Sequence, residues 1–119
     1  MIRSFKDLSV YQRSKELFRE MHAITKTFPR SGAYLADQLI RAANSIHANI
    51  AEGFGRSNAE FCNYLTRALG SANEVISHLE DAEIVHYADT KHLQDEYMIL
   101  GKQIYSLRER WKSPARSSA

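Results

Sequence analysis

Residues 61–86, FCNYLTRALGSANEVISHLEDAEIVH, place Phe61, Leu65, Ala68, Ala72, Val75, Leu79, Ala82 and His86 at alternating steps of four and three. This spacing keeps the side chains on one face of a 3.6-residue helix, whereas a strand would throw them to both sides. Three other stretches follow the same rule: Val10, Ser14, Leu17, Met21, Ile24 and Phe28; Leu35, Leu39, Ala42, Ile46 and Ile50; Leu93, Tyr97, Leu100, Ile104, Leu107 and Trp111. A sustained 4-3 step approximates a period of 3.5, which aligns helices nearly parallel or antiparallel with a slight left-handed supercoil. The expected fold is therefore all-α, an antiparallel up-down-up-down four-helix bundle.

The breaks between these rows fit helix ends. Pro29 through Gly32 closes the first helix, Gly53-Phe-Gly55 the second, and His86 to Thr90 the third. Ser57-Asn-Ala-Glu60 has the form of a capping box at the start of the third helix, and Asp89 or Thr90 can cap the fourth. The bundle is expected over residues 1–111, with residues 112–119, KSPARSSA, as a flexible tail. With 119 residues there is room for one domain and a modest core, to which a subunit interface would add.

Composition narrows the function. Two prolines and five glycines are too few for the tight turns of a multi-strand sandwich. A single cysteine, Cys62, excludes an intramolecular disulfide and any multi-cysteine metal site and fits a reducing cytoplasm. The N-terminal stretch lacks the apolar core of a signal peptide, and no long apolar run could span a bilayer, so a cytoplasmic protein without membrane contact is expected. The net charge is only +2, but it is unevenly spread: residues 1–57 carry nine basic and five acidic side chains, 58–107 three and eight, and 108–119 four and one. That division permits a basic face, a basic tail or electrostatic contact between copies of the chain.

Enzymatic motifs are weak. Glu83-x-x-His86 has the spacing of a di-iron bundle ligand pair, but its second match, Asp89-x-x-His92, straddles a helix start, and the first two helices lack the inward Glu pair. No H-E-x-x-H or G-x-S-x-G sequence is present. Neither a catalytic residue, a cofactor nor a metal ligand is assigned, and the protein is expected not to be an enzyme. Gly53-x-Gly55-Arg56 lacks the third glycine of the dinucleotide fingerprint and follows a helix. It reads as helix termination, with an alternative role for Arg56 and the helix N-terminus at Ser57 in holding a phosphate.

Beside its apolar row the second helix carries Gln38, Arg41, Ser45, Asn49 and Glu52, and the third carries Arg67, Ser71, Glu74 and His78. A hairpin about Arg56 would bring Arg41 near Glu74. Small residues flank both stripes, and Gly70 in a helix interior suggests the close approach of another backbone. A packed polar seam, within the bundle or between subunits, is expected, and charge reversal at Glu74 should weaken folding or assembly.

These residues also carry a resemblance. Gln38-Leu-Ile-Arg-Ala-Ala-Asn-Ser-Ile46, Asn49-Ile-Ala-Glu-Gly-Phe-Gly-Arg56, Ala68-Leu-Gly-Ser71 and Glu74, with Phe5-x-Asp-Leu-x-Val-Tyr-Gln12 and Phe28-Pro29, resemble the four-helix-bundle family of proteins encoded in intervening sequences of 23S ribosomal RNA genes. The chain is similar as well to accessory proteins of diversity-generating retroelements. The resemblance implies a cyclic homo-oligomer, a homopentamer, and contact with RNA or DNA in an accessory role. Gln38, Asn49, Glu52, Gly53, Gly55, Gly70, Ser71 and Glu74 match the family motif as structural positions. Arg13, Arg41, Arg56, Ser57 and Arg67 are the candidate nucleic-acid contacts. His86 stands where the family often has glycine, and Ala72 where it often has leucine. Two other readings remain open: a scaffolding oligomer that binds a protein partner, and a metal enzyme with its site in the bundle core.

Overall fold

The computed structural model describes residues 1–112; of the tail expected at 112–119, Lys112 instead belongs to the last helix and 113–119 lie outside the described residues. Four helices follow a short 3-10 turn at Phe5–Asp7: α1 Ser9–Thr25, α2 Ala33–Gly53, α3 Asn58–Ile84 and α4 Lys91–Lys112. Short connections force each helix back along its predecessor, and α1 also meets α4, closing an antiparallel bundle of 55 × 20 × 20 Å.

The apolar rows become the core. Phe61, Leu65, Ala68, Ala72, Val75, Leu79 and Ala82 are all buried on α3, as are Leu93, Tyr97, Leu100, Ile104 and Leu107 on α4. Trp111 is half-buried against them. On α2, Leu39, Ala42, Ile46 and Ile50 are buried and Leu35 is half-buried. The row on α1 departs at its end. Thr25 is buried in place of Ile24, the helix stops there, and Phe28 lies beyond it, its ring 5.6 Å from that of Tyr87. The N–H groups of Thr27 and Phe28 reach back only three residues, to Ile24 and Thr25. This tightening suits a chain that must leave the α region before Pro29.

His86 is the other departure from the sequence pattern. It is exposed, and φ of 60° puts it in the left-handed region just past α3. The Tyr87 N–H donates to the Ala82 carbonyl at 2.9 Å and the His86 N–H to that of Glu83 at 3.0 Å, a Schellman closure. Its left-handed position is the one where glycine carries no Cβ penalty. His86→Gly is expected to raise stability by about 1 kcal/mol. Urea denaturation checks this, and a loss of stability would refute the strain.

His47, outside the apolar row of α2, is nevertheless buried. Its Nδ1 lies 3.2 Å from Ser14 Oγ and its Nε2 3.1 Å from Asn44 Oδ1, with the edges of Tyr11 and Phe18 closing around the ring. Burial, helped by the nearby Lys15 ammonium, pushes its pKa down to about 4 from 6.5. The unfolded chain therefore binds this proton more readily than the native one. The resulting stability is complete above pH 6.5 and is lost as pH falls from 6.5 toward 4, by about 2 to 3 kcal/mol. Comparing wild type with His47→Gln by denaturation across that window should flatten this part of the profile; parallel profiles would contradict it.

Candidate nucleic-acid interface

The α2–α3 hairpin is built by the family-motif residues. Ser45 Oγ and Ser71 Oγ are 2.9 Å apart, and Asn49 Nδ2 donates to the Ser45 carbonyl at 2.8 Å and to its hydroxyl at 3.0 Å. This is the polar seam expected from the sequence, lying between two helices of one protomer. At Gly53 the helices come so close that a Cβ would clash with Tyr64 Cβ. Phe54 and Gly55 then form the centre of a turn, closed by the Arg56 N–H on the Gly53 carbonyl at 3.3 Å. Phe54 at φ −67°, ψ 136° followed by Gly55 at φ 88° is the type II pattern, whose second central residue must be left-handed.

Arg56 completes the turn by donating from Nε to the Glu52 carbonyl at 2.8 Å, satisfying a free acceptor at the end of α2. Ser57 caps α3: its hydroxyl accepts from the Glu60 N–H at 3.2 Å and donates to Glu60 Oε1 at 2.9 Å. Only the Ser57 half of the expected capping box forms, the Glu60 carboxylate being taken by the Ser57 hydroxyl instead of a backbone N–H. The loop terminates α2, and the one hydroxyl proton of Ser57 is already given to Glu60, leaving none for a phosphate.

Other motif residues stay outside the seam. Arg41 pairs with Asp37 on its own helix at 2.9 Å, and Glu74 with His78 at 3.2 Å, so the expected Arg41–Glu74 pair does not form within the protomer. Gly70 is exposed with open space where a Cβ would point, so no backbone approaches it inside the bundle. Gln38 is half-buried.

The five candidate nucleic-acid contacts separate. Arg13 lies against α4, with Nη2 2.6 Å from Glu96 Oε2 and Nη1 3.6 Å from Glu16, an arrangement that holds its charge firmly. It is a structural bridge between helices. Arg41 lies in the stretch of α2 that precedes the hairpin seam. Only Arg56 and Arg67 come together, their Cζ atoms 5.0 and 4.7 Å from the centroid of the Tyr64 ring. On the other side of α3, Arg108 from α4 donates from Nη1 to Thr66 Oγ1 at 3.1 Å and stacks its Cζ 5.0 Å from the Tyr105 centroid. Tyr64, Tyr105 and Arg108 were not singled out by sequence. The available signal was the alternation of arginine and tyrosine near both helix ends, which becomes a cluster only once α3 and α4 are antiparallel.

This end of the bundle is held by aromatic packing: Phe61 meets Phe54 at 5.7 Å and Trp111 at 5.1 Å. It gathers residues 1–12, 50–69 and 101–112, which carry eight basic and four acidic side chains. The remaining described residues, 13–49 and 70–100, carry seven basic and ten acidic. The fold therefore converts a charge division along the chain into one along the bundle axis, positive at the hairpin end. Glu60 lies 3.7 Å from Arg56 and Glu109 3.4 Å from Arg108, whereas Arg67 has no ion pair among the described residues.

The residues considered for metal binding part company. The Glu83 carboxylate accepts from the Thr90 N–H and His86 points away past the helix end. Among the described residues no cluster of three or more His, Cys, Asp or Glu is placed to hold a metal ion.

The fold and this end define a class: a four-helix bundle with one basic, tyrosine-bearing tip. The family model described as 23S rRNA-intervening sequence protein matches residues 6–112, and the chain belongs to that family. Among curated proteins none matches this sequence. Among the described residues no helix is long and apolar enough to cross a membrane.

Proposed function

We propose that the protein is a non-enzymatic, cytoplasmic accessory protein that assembles as a cyclic homo-oligomer, a pentamer, and binds RNA or DNA through the hairpin end of each bundle. The concentration of Arg56, Arg67 and Arg108 around two tyrosines carries this reading. A phosphate backbone is bound by clustered cations, and the small net charge of +2 does not oppose this once the charges are segregated along the axis. A ring would repeat the basic tip around its axis. The family, named for genes within 23S ribosomal RNA, supports an association with ribosomal RNA. Self-assembly is supported by the half-exposed Met98 and Ile99 on the outside of α4 and by the open position at Gly70.

Binding of a labelled RNA, followed by fluorescence anisotropy, is expected at low salt and should weaken steeply as salt rises. Absence of binding to RNA and DNA at low ionic strength would end the proposal. The mass in solution should be five times that of the chain. A second reading, a scaffold for a protein partner, is favoured by a groove of about 660 Å³ between α3 and α4, lined by Leu69, Ile76, Met98 and Tyr105. Nuclease-resistant capture of one protein, with no retained nucleic acid, would select it.

A further inference from the structure

We propose that the tyrosine–arginine stacks at the hairpin end form a platform for unpaired bases, so that the ligand is a single-stranded polynucleotide. The inference rests on the nucleic-acid reading above and specifies the form of ligand that the same site takes.

Tyr64 and Tyr105 are the rings of this surface, and Tyr105 is 50% exposed. Thr66 receives the hydrogen bond from Arg108, so the Tyr105–Arg108 stack is tied to α3, the helix that carries Tyr64 and Arg67. Arg67, which makes no ion pair among the described residues, offers its N–H edge to phosphate, whereas Arg56 and Arg108 give part of theirs to the Glu52 carbonyl and Thr66 Oγ1; the outer face of a stacked guanidinium accepts a base. Alternating aromatic and cationic groups is the arrangement that single strands use, because every base has a π-face once it is unstacked. Duplexes hide those faces. Glu60 and Glu109 offset part of the cationic charge. Phosphate attraction alone is therefore diluted here, and base stacking supplies the remainder.

The test uses the full chain with three probes of equal length: an oligouridylate, an oligothymidylate and an RNA duplex, titrated by fluorescence anisotropy at several salt concentrations. Both single strands are expected to bind at least about tenfold more tightly than the duplex. Tyr105→Leu should weaken single-strand binding by about tenfold, with an unchanged slope against salt, because the phosphate contacts persist. Tyr64→Leu should do the same, and since Tyr64 also packs on Gly53, the exposed Tyr105 provides the independent readout. Equal affinity for duplex and single strands, or a Tyr105→Leu variant that binds as wild type, would overturn the platform while leaving the nucleic-acid reading in place. Failure of all three probes at low salt would overturn both.

Discussion

Phe61→Ala is expected to destabilise the protein by about 4 kcal/mol. Phe61 is 1% exposed and meets the rings of Phe54 and Trp111 edge-on, so truncation removes its transfer energy and leaves a cavity bounded by two large rings that cannot both collapse into it. These three residues come from the α2–α3 turn, the start of α3 and the end of α4. The same loss would therefore free the elements that carry Arg56, Tyr64 and Arg108, and polynucleotide affinity should fall with stability. Urea denaturation followed by circular dichroism gives the first quantity; a loss below about 1 kcal/mol would mean that this end is not held by its aromatic packing.

Gly53→Ala is expected to cost about 2 to 3 kcal/mol. Helix propensity alone gives the opposite sign, a gain of about 1 kcal/mol for replacing a helical glycine. The contact decides the matter. An alanine Cβ would clash with Tyr64 Cβ, an atom fixed to the backbone of α3 that no rotamer change can move. Relief requires the two helices to move apart, which strains the type II turn and the Ser45–Ser71 seam. A more stable Gly53→Ala protein would show that the hairpin is looser than this geometry.

The helices were legible because burial imposes a period, and nearly every residue of the α3 and α4 rows is buried as the spacing required. What failed were positions governed by chain direction. His86 satisfies the period, yet the backbone turns left-handed there to close α3, and an apolar pattern carries no information about φ. Thr25 and Phe28 depart because Pro29 constrains the chain before it. His47 is buried off the apolar row because Ser14 and Asn44 satisfy its two nitrogens, a pairing between residues 33 positions apart that no local pattern encodes.

The proposed site was legible in part. Arg56 and Arg67 meet at the Tyr64 ring, and the glycine-rich string does terminate a helix. Arg13 was misleading because its partner, Glu96, lies 83 residues away on α4. Tyr105 and Arg108 reach the site only through the antiparallel packing of α4 on α3. The polar stripe also resolves into two parts: Ser45, Asn49 and Ser71 hold the hairpin, while Arg41, Gly70 and Glu74 face outward. Charge reversal at Glu74 should accordingly leave the monomer fold intact and act on assembly.

The central claim, that the hairpin end is where polynucleotide binds, is tested most directly by the salt dependence of single-strand binding in paired charge variants. Arg56→Gln with Arg67→Gln should lower affinity by at least about tenfold and reduce the slope of log affinity against log salt by about 1.4, the loss of two phosphate contacts. Lys26→Gln with Arg30→Gln, at the opposite end, should leave affinity and slope as in wild type. If the far-end pair reduced binding as much as the hairpin pair, or if the hairpin pair bound with wild-type affinity and slope, the site would lie elsewhere on the molecule.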